Sequence, residues 1–309
     1  MKYVFNISKE NAKLSLAEIK NVCKPKKFEA ISAYIVLETQ EELQNYSKLA
    51  YTKNVYQVLS HAKNLDKLTK NLTTKNFDEN KSFRLRILKS QNREKQIKAI
   101  ANIIGKNKQV NLTTFEEEYG ILQTTKNIYV SKKIWENTDD YYSRNPINRP
   151  IMHPTSLKPR FAKAMINLAN PKNELYDPFC GSGGILLEAC MLGLKTYGTD
   201  LDKTMVLYAH RNLKHYGVKA NLAIKDGFTP TRNYEAVVTD IPYGKNSKLK
   251  GGVQDFLNTF INTYTKYTNT IVVCHPNSVD VKPNAFKIGD QINHYINKSL
   301  TRTITVLKK

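Results

Sequence analysis

The sequence predicts two α/β regions in tandem: a βαβ-rich α+β half, then a parallel, doubly wound sheet. Three observations carry that prediction. In the second half, short β-branched runs alternate with helical segments, the rhythm of a parallel sheet covered on both faces. A glycine-rich turn at 181–184 joins one of those strands to the next helix. Between the halves, residues 136–150 are polar and carry Pro146 and Pro150, which reads as a linker. The expected organisation is therefore 1–135, a linker over 136–150, and 151–309. The 309 residues suffice for two or three buried cores.

In order, residues 3–7 read as a strand and 14–22 as a helix. Residues 28–37, rich in β-branched and aromatic side chains, read as one strand. Residues 41–50 read as a helix, 55–59 as a strand and 65–72 as a short helix. Residues 83–88 alternate apolar side chains with Arg84 and Arg86, a half-buried strand whose basic face is either merely solvated or in contact with a polyanion. In 94–104, Ile97, Ile100, Ala101 and Ile104 recur at helical spacing. Glu116, Glu117 and Glu118 read as a solvated turn among strands over 110–114, 119–124 and 128–130, in one or two small units. A helix over 158–170 opens the second half. Strands over 175–176, 196–199, 222–224, 236–239 and 271–274 follow, and 288–307 reads as a hairpin closing one edge.

The charge is spread over both halves. The chain has 48 Lys+Arg against 27 Asp+Glu, a net +21, with 27 basic and 16 acidic residues in 1–150. A basic tail on a neutral enzyme is excluded, and both halves would attract a polyanion. Nucleic acid is the leading candidate, with a generally Lys- and Asn-rich proteome as the alternative. No apolar run is long enough to span a membrane, and the first residues lack the apolar stretch of a signal peptide. Cys23, Cys180, Cys190 and Cys274 lie far apart with no CxxC pair, which argues against a zinc site or a disulfide scaffold and for a reducing cytoplasm. Cys180 reads as a packing residue rather than a nucleophile.

Asp177-Pro-Phe-Cys-Gly-Ser-Gly-Gly184 follows a strand and opens a helix over 185–191. Such a turn brings backbone N–H groups close to a ligand. Asp200 ends the following strand, 23 residues after Asp177, where an acid suits ribose hydroxyls. The alternative is that Asp200 caps the next helix. Lys225-Asp226-Gly227 ends the third strand and Asp240-Ile-Pro-Tyr-Gly244 the fourth. All four lie where open α/β sheets bind ligands.

The glycine loop, with Asp177, Phe179, Gly181 and Gly183, resembles the cofactor loop of class I S-adenosylmethionine methyltransferases. Asp240-Ile-Pro-Tyr243 resembles the Asp/Asn-Pro-Pro-Tyr motif of those that methylate exocyclic amines of nucleobases. His153-Pro-Thr-Ser-Leu-Lys-Pro-Arg160 resembles the motif that precedes the glycine loop in this subgroup. Together they are most similar to the archaeal tRNA guanosine-10 N2-methyltransferase family, over roughly residues 149–309. By arrangement and charge alone, the first 135 residues resemble its ferredoxin-like and THUMP segments.

The resemblance implies a Rossmann-like methyltransferase domain, S-adenosylmethionine as cofactor, tRNA as partner, no metal and a cytoplasmic enzyme. It leaves open a small activator protein, the chain otherwise being a monomer. It implies that Asp240, Pro242 and Tyr243 serve catalysis, with Tyr243 stacking on the base. His153, Ser156, Asp177, Phe179, Gly181, Gly183, Asp200, Asp226 and Gly227 would bind the cofactor, with Asp226 near the adenine amine. Simpler readings stand beside these: a turn at Asp226-Gly227, a surface aromatic at Tyr243, and a proline-turn histidine at His153. Guanosine at tRNA position 6 and a catalytically silent RNA-binding protein are the rival functions. A DNA amine methyltransferase would be expected to carry a target-recognition insert, and none is evident. Ile241 stands where the motif usually has proline, so the loop is expected to lose pre-organisation.

Overall fold

The computed structural model describes residues 1–106, 108–242, 252–298 and 300–309. In chain order the elements are β1 (Lys2–Ile7), α1 (Ala12–Cys23), β2 (Lys27–Ile31), β3 (Tyr34–Glu38), β4 (Thr52–Ala62), α2 (Leu65–Leu72), β5 (Phe83–Lys89), α3 (Arg93–Ile104), β6 (Glu117–Gln123) and β7 (Ile128–Glu136). Then come α4 (Pro159–Ala169), β8 (Glu174–Asp177), α5 (Gly184–Met191), β9 (Lys195–Asp200), α6 (Lys203–His215), β10 (Asn221–Ile224), β11 (Val237–Asp240), α7 (Gly252–Tyr264), β12 (Thr270–Pro276), β13 (Lys287–Asn297) and β14 (Leu300–Lys308). They form two compact units. One comprises Met1–Ala12, Cys23–Ser47 and Thr52–Thr138; the other comprises Lys13–Val22, Lys48–Tyr51 and Asp139–Lys309.

The first unit is built on one seven-stranded sheet, ordered β2-β3-β1-β4-β7-β6-β5. Among the described strands of this sheet, β5 and β6 pair in parallel and the other neighbours antiparallel. Ile100 and Ile104 of α3 and Leu68 and Leu72 of α2 are buried with Phe83, Tyr119 and Ile121 of the sheet, as a helix with one apolar face requires.

Three expected elements differ here. Residues 28–37 are two strands, because Ser32 turns the chain with φ +57° and Ile31 pairs back with Tyr34. Residues 41–50 hold no α-helix, only a 3-10 turn at Tyr46–Lys48 after Asn45, whose φ is +63°. Residues 110–114 are not a strand. Val110 makes one bridge to Phe83, and the Asn111 side chain then accepts the amides of Thr113 and Thr114 in a turn.

The glutamates are also corrected. Glu117 and Glu118 lie on β6 and are buried. Glu117 pairs with Lys108 and Lys132 and accepts from the Tyr119 hydroxyl. Glu118 pairs with Arg84 and Lys133 and accepts from the Tyr56 hydroxyl. Arg84 further stacks over Phe115, 3.8 Å from its centroid, so its charge is engaged within the fold.

The second unit holds the doubly wound sheet, ordered β10-β9-β8-β11-β12-β14-β13. The pairs from β10 through β12 are parallel, and β14 and β13 close the edge antiparallel. Its boundary differs from the expected linker: the chain from Asp139 onward is part of this unit. Buried Arg144 donates to both carboxylate oxygens of Glu188 on α5, at 2.8 and 3.0 Å, and also meets Asp139. A polar, proline-bearing stretch looks like a linker until its charges find buried partners.

The unit also recruits α1 and residues 48–51. Glu18 is fully buried and accepts from the Ala50 and Tyr51 amides and from Asn167 of α4. Among the described residues, no helix is long and apolar enough to cross a membrane.

Candidate active site

Three consecutive strands of the parallel region, β9, β8 and β11, each end on an aspartate: Asp200, Asp177 and Asp240. With strands about 4.8 Å apart, this places three carboxylates in a row at the carboxyl ends of the strands. An open cleft of about 410 Å³, counting the solvent at its mouth, is lined by Thr155, Ser156, Asp177, Phe179, Gly181, Ser182 and Asp240, among others.

Asp177 is the buried floor of this site. The Thr239 hydroxyl and the Phe179 amide both donate to its Oδ1, at 2.7 and 3.2 Å. Burial nevertheless pushes its carboxyl up to about 7, helped by the charges of Asp200 and Asp240. Asp200 accepts the Gly181 amide at 2.8 Å and the Asp202 amide at 2.9 Å. Burial pushes its carboxyl up as well, against those amides. It does not cap α6; Asp202 does, by accepting from the Thr204 amide.

The glycine loop turns on two constraints. Gly183 has φ +87° and lies so close to Ala209 of α6 that an added Cβ would meet it at 3.1 Å. Ser182 shares a 2.7 Å hydrogen bond with Ser156, which ties the preceding motif to the loop. Gly227 serves packing: a Cβ there would overlap the Phe179 ring and the Pro178 carbonyl. Phe179 itself packs among Phe228, Phe256 and Phe260 and lines the cleft.

Of the residues singled out from sequence, Ser156, Asp177, Phe179, Gly181 and Asp240 line the cleft. Gly183 supports it, and Asp200 holds the Gly181 amide from behind. Half-buried His153 bonds Thr155 at 2.8 Å but is not in the lining. Asp226 is exposed, accepts the Phe228 amide in a local turn and is not in the lining. Pro242 is half-buried, and Tyr243 lies outside the described residues.

Ile241 changes the expectation attached to it. Its amide donates to the Cys274 carbonyl at 3.1 Å, a bond proline could not make, and its side chain is buried beside Leu257 and Phe260. The start of the loop is thus fixed by a ladder bond and by burial.

Sequence reading missed Thr155 and Ser182, which sat inside quoted motifs, and Arg302. Arg302 lies on β14, and its Nη1 is 3.6 Å from Asp240 Oδ2. Only the strand order β11-β12-β14 brings it there.

Two family models match this sequence. One, described as an RMKL-like methyltransferase domain, covers residues 146–283. The other, described as a DNA methylase, covers 3–211 and stops before Asp240. A relative from Methanocaldococcus jannaschii, named tRNA (guanine(10)-N2)-dimethyltransferase, is 30% identical over 264 residues, 77% of this chain and 74% of that one. The chain belongs to this methyltransferase family.

A family member of the same name from Pyrococcus abyssi is 30% identical over 200 residues, 59% of this chain and 60% of its own. The chain thus spans between about half and three quarters of these relatives' length. The structure of TrmN from Thermus thermophilus shares the fold over the whole of both chains, with a TM-score of 0.52 at 15% identity.

The residues present fit the family's cofactor. Gly181 opens to the cleft with no atom within 4 Å of where a Cβ would stand, and the start of α5 faces the same space. That combination suits the charged amino-acid end of S-adenosylmethionine.

Proposed function

We propose that this chain methylates the exocyclic N2 amine of a guanosine in tRNA, at position 10, with S-adenosylmethionine as the donor, and carries the amine to the dimethyl stage. The observation that supports it most is the placement of Asp240, which ends β11 at the cleft that the glycine loop also lines.

The guanine amine is a weak nucleophile because its lone pair is drawn into the ring. A carboxylate that accepts one of its N–H bonds leaves the lone pair more localised and directs it. Asp240 takes that role, with the Ile241 carbonyl as a second acceptor. When bound, S-adenosylmethionine supplies an electrophilic methyl group. The rest is positioning by this chain's own residues. Ser156 and Ser182 fix the glycine loop against the preceding motif, Asp200 sets the Gly181 amide, and Phe179 offers an apolar wall.

The target base must leave its helix to reach the cleft, at a cost of a few kcal/mol. We assign the first unit to tRNA binding, as the ferredoxin-like and THUMP resemblance implies, and the enzyme to the cytoplasm. Phosphate contacts would supply the affinity and set the register.

Full-length protein with S-adenosylmethionine and a tRNA transcript should yield N2-methylated and N2,N2-dimethylated guanosine by mass spectrometry of the digest. The products should vanish when the guanosine at position 10 is replaced by adenosine. Undiminished methylation of that variant would overturn the position, and absence of product from the unaltered transcript would overturn the activity. The full chain is needed, because residues 13–22 and 48–51 belong to the catalytic unit and a fragment starting at 151 would lose them.

A further inference from the structure

We infer that Arg302 is a positioning residue for methyl transfer, holding the Asp240 carboxylate in the orientation that receives the substrate amine. The inference rests on the reading of Asp240 given above.

Asp240 is the last residue of its strand. Its backbone is held by the pairing with Cys274 and by the Ile241 amide, and its carboxylate meets Arg302. Asp177, one strand away on β8, feels the charge of Asp240 as a like charge. Arg302 approaches from the opposite side of the sheet order, on β14, where it pairs with Pro276 of β12 and His294 of β13. Both side chains are mostly enclosed, at 12% exposure for Arg302 and 17% for Asp240.

A guanidinium is planar, permanently charged and weakly hydrated, so it suits an enclosed place beside a carboxylate. At 3.6 Å the contact with Oδ2 is an ion pair and longer than a hydrogen bond. It orients the carboxylate by charge. Arg302, reaching Asp240 from β14, thus gives its carboxylate a preferred direction.

The test uses full-length Arg302→Met, Arg302→Lys and Asp240→Asn, and the double variant. Single-turnover transfer of labelled methyl from S-adenosylmethionine to tRNA is measured at saturation, with cofactor and tRNA affinities measured separately. Arg302→Met should slow transfer by roughly tenfold to a hundredfold, the scale of a misplaced catalytic group, with both affinities changed less than about twofold. Arg302→Lys, which keeps the charge, should recover much of the rate, and Arg302→Met added to Asp240→Asn should slow it no further. A wild-type rate in Arg302→Met, a loss confined to binding, or no rescue by lysine would overturn the inference, as would losses that multiply in the double variant. Near-normal transfer by Asp240→Asn alone would instead remove the reading of Asp240 on which it rests.

Discussion

Glu117 and Glu118 of the first unit, and Asp177, Asp200 and Asp240 of the second, are acids carried on strands and largely withdrawn from water. Their neighbours differ. Burial alone would raise Glu117, but Lys108, Lys132 and the Tyr119 hydroxyl overcome it and bring its carboxyl down to about 2. Burial is likewise overcome at Glu118, by the Tyr56 hydroxyl, Arg84 and Lys133. In the second unit burial wins at Asp177 and Asp200, whose carboxyls are pushed up although amides and a hydroxyl donate to them. Acids neutralised by cations of the same unit hold a fold together. Asp177 and Asp200, gathered at strand ends and held by neutral donors, carry a cost that folding alone does not explain.

The largest effect is expected at Glu117. Glu117→Gln leaves Lys108, with 1% of its side chain exposed, without its buried counter-charge. The expected loss is about 3–5 kcal/mol, read from urea unfolding; a change below about 1 kcal/mol would show that the ion cluster is not structural.

Asp177 should behave in the opposite sense. Its folded carboxyl titrates near 7, above its ordinary value of 3.8. The folded protein therefore holds a proton there that the unfolded chain has released, and this group's contribution to stability falls as pH rises through that window. The upper bound is on the order of 4 kcal/mol. Asp177→Asn should flatten the decline in urea stability between about pH 4 and 7. The parts due to Glu18 and Asp200, which burial also raises, should remain. An unchanged slope would show that Asp177 is not a buried, uncompensated acid.

The smallest effect concerns Asp200. Its Ala variant frees the Gly181 amide and should weaken S-adenosylmethionine binding by about 1–3 kcal/mol. Calorimetry giving wild-type affinity would take Asp200 out of the site.

Much of this was legible in the sequence because it is local. Strand-end acids, a glycine turn and the Asp240 motif are contiguous residue patterns, and the parallel rhythm of the second half follows from alternation of short strands and helices. The strands over 28–37 and 110–114 were misread because propensity does not reveal where Ser32 or Asn111 turns the chain. Glu117 and Glu118 looked solvated because three acids in a row lack partners in sequence; their lysines arrive from residues 108, 132 and 133 by folding. Arg302 was invisible for the same reason, being 62 residues from Asp240 in the chain and two strands from it in the sheet.

Labelled-methyl transfer to tRNA by Asp240→Asn and Glu117→Gln, both assayed under conditions where they remain folded, tests the contrast most directly. The Asp240 variant should lose at least about a hundredfold in single-turnover rate, the scale of removing one transition-state contact, with tRNA affinity little changed. The Glu117 variant should transfer methyl at close to the wild-type rate. Equal activity of the two variants, or a deeper loss in Glu117→Gln, would contradict the assignment of chemistry to the strand-end acids.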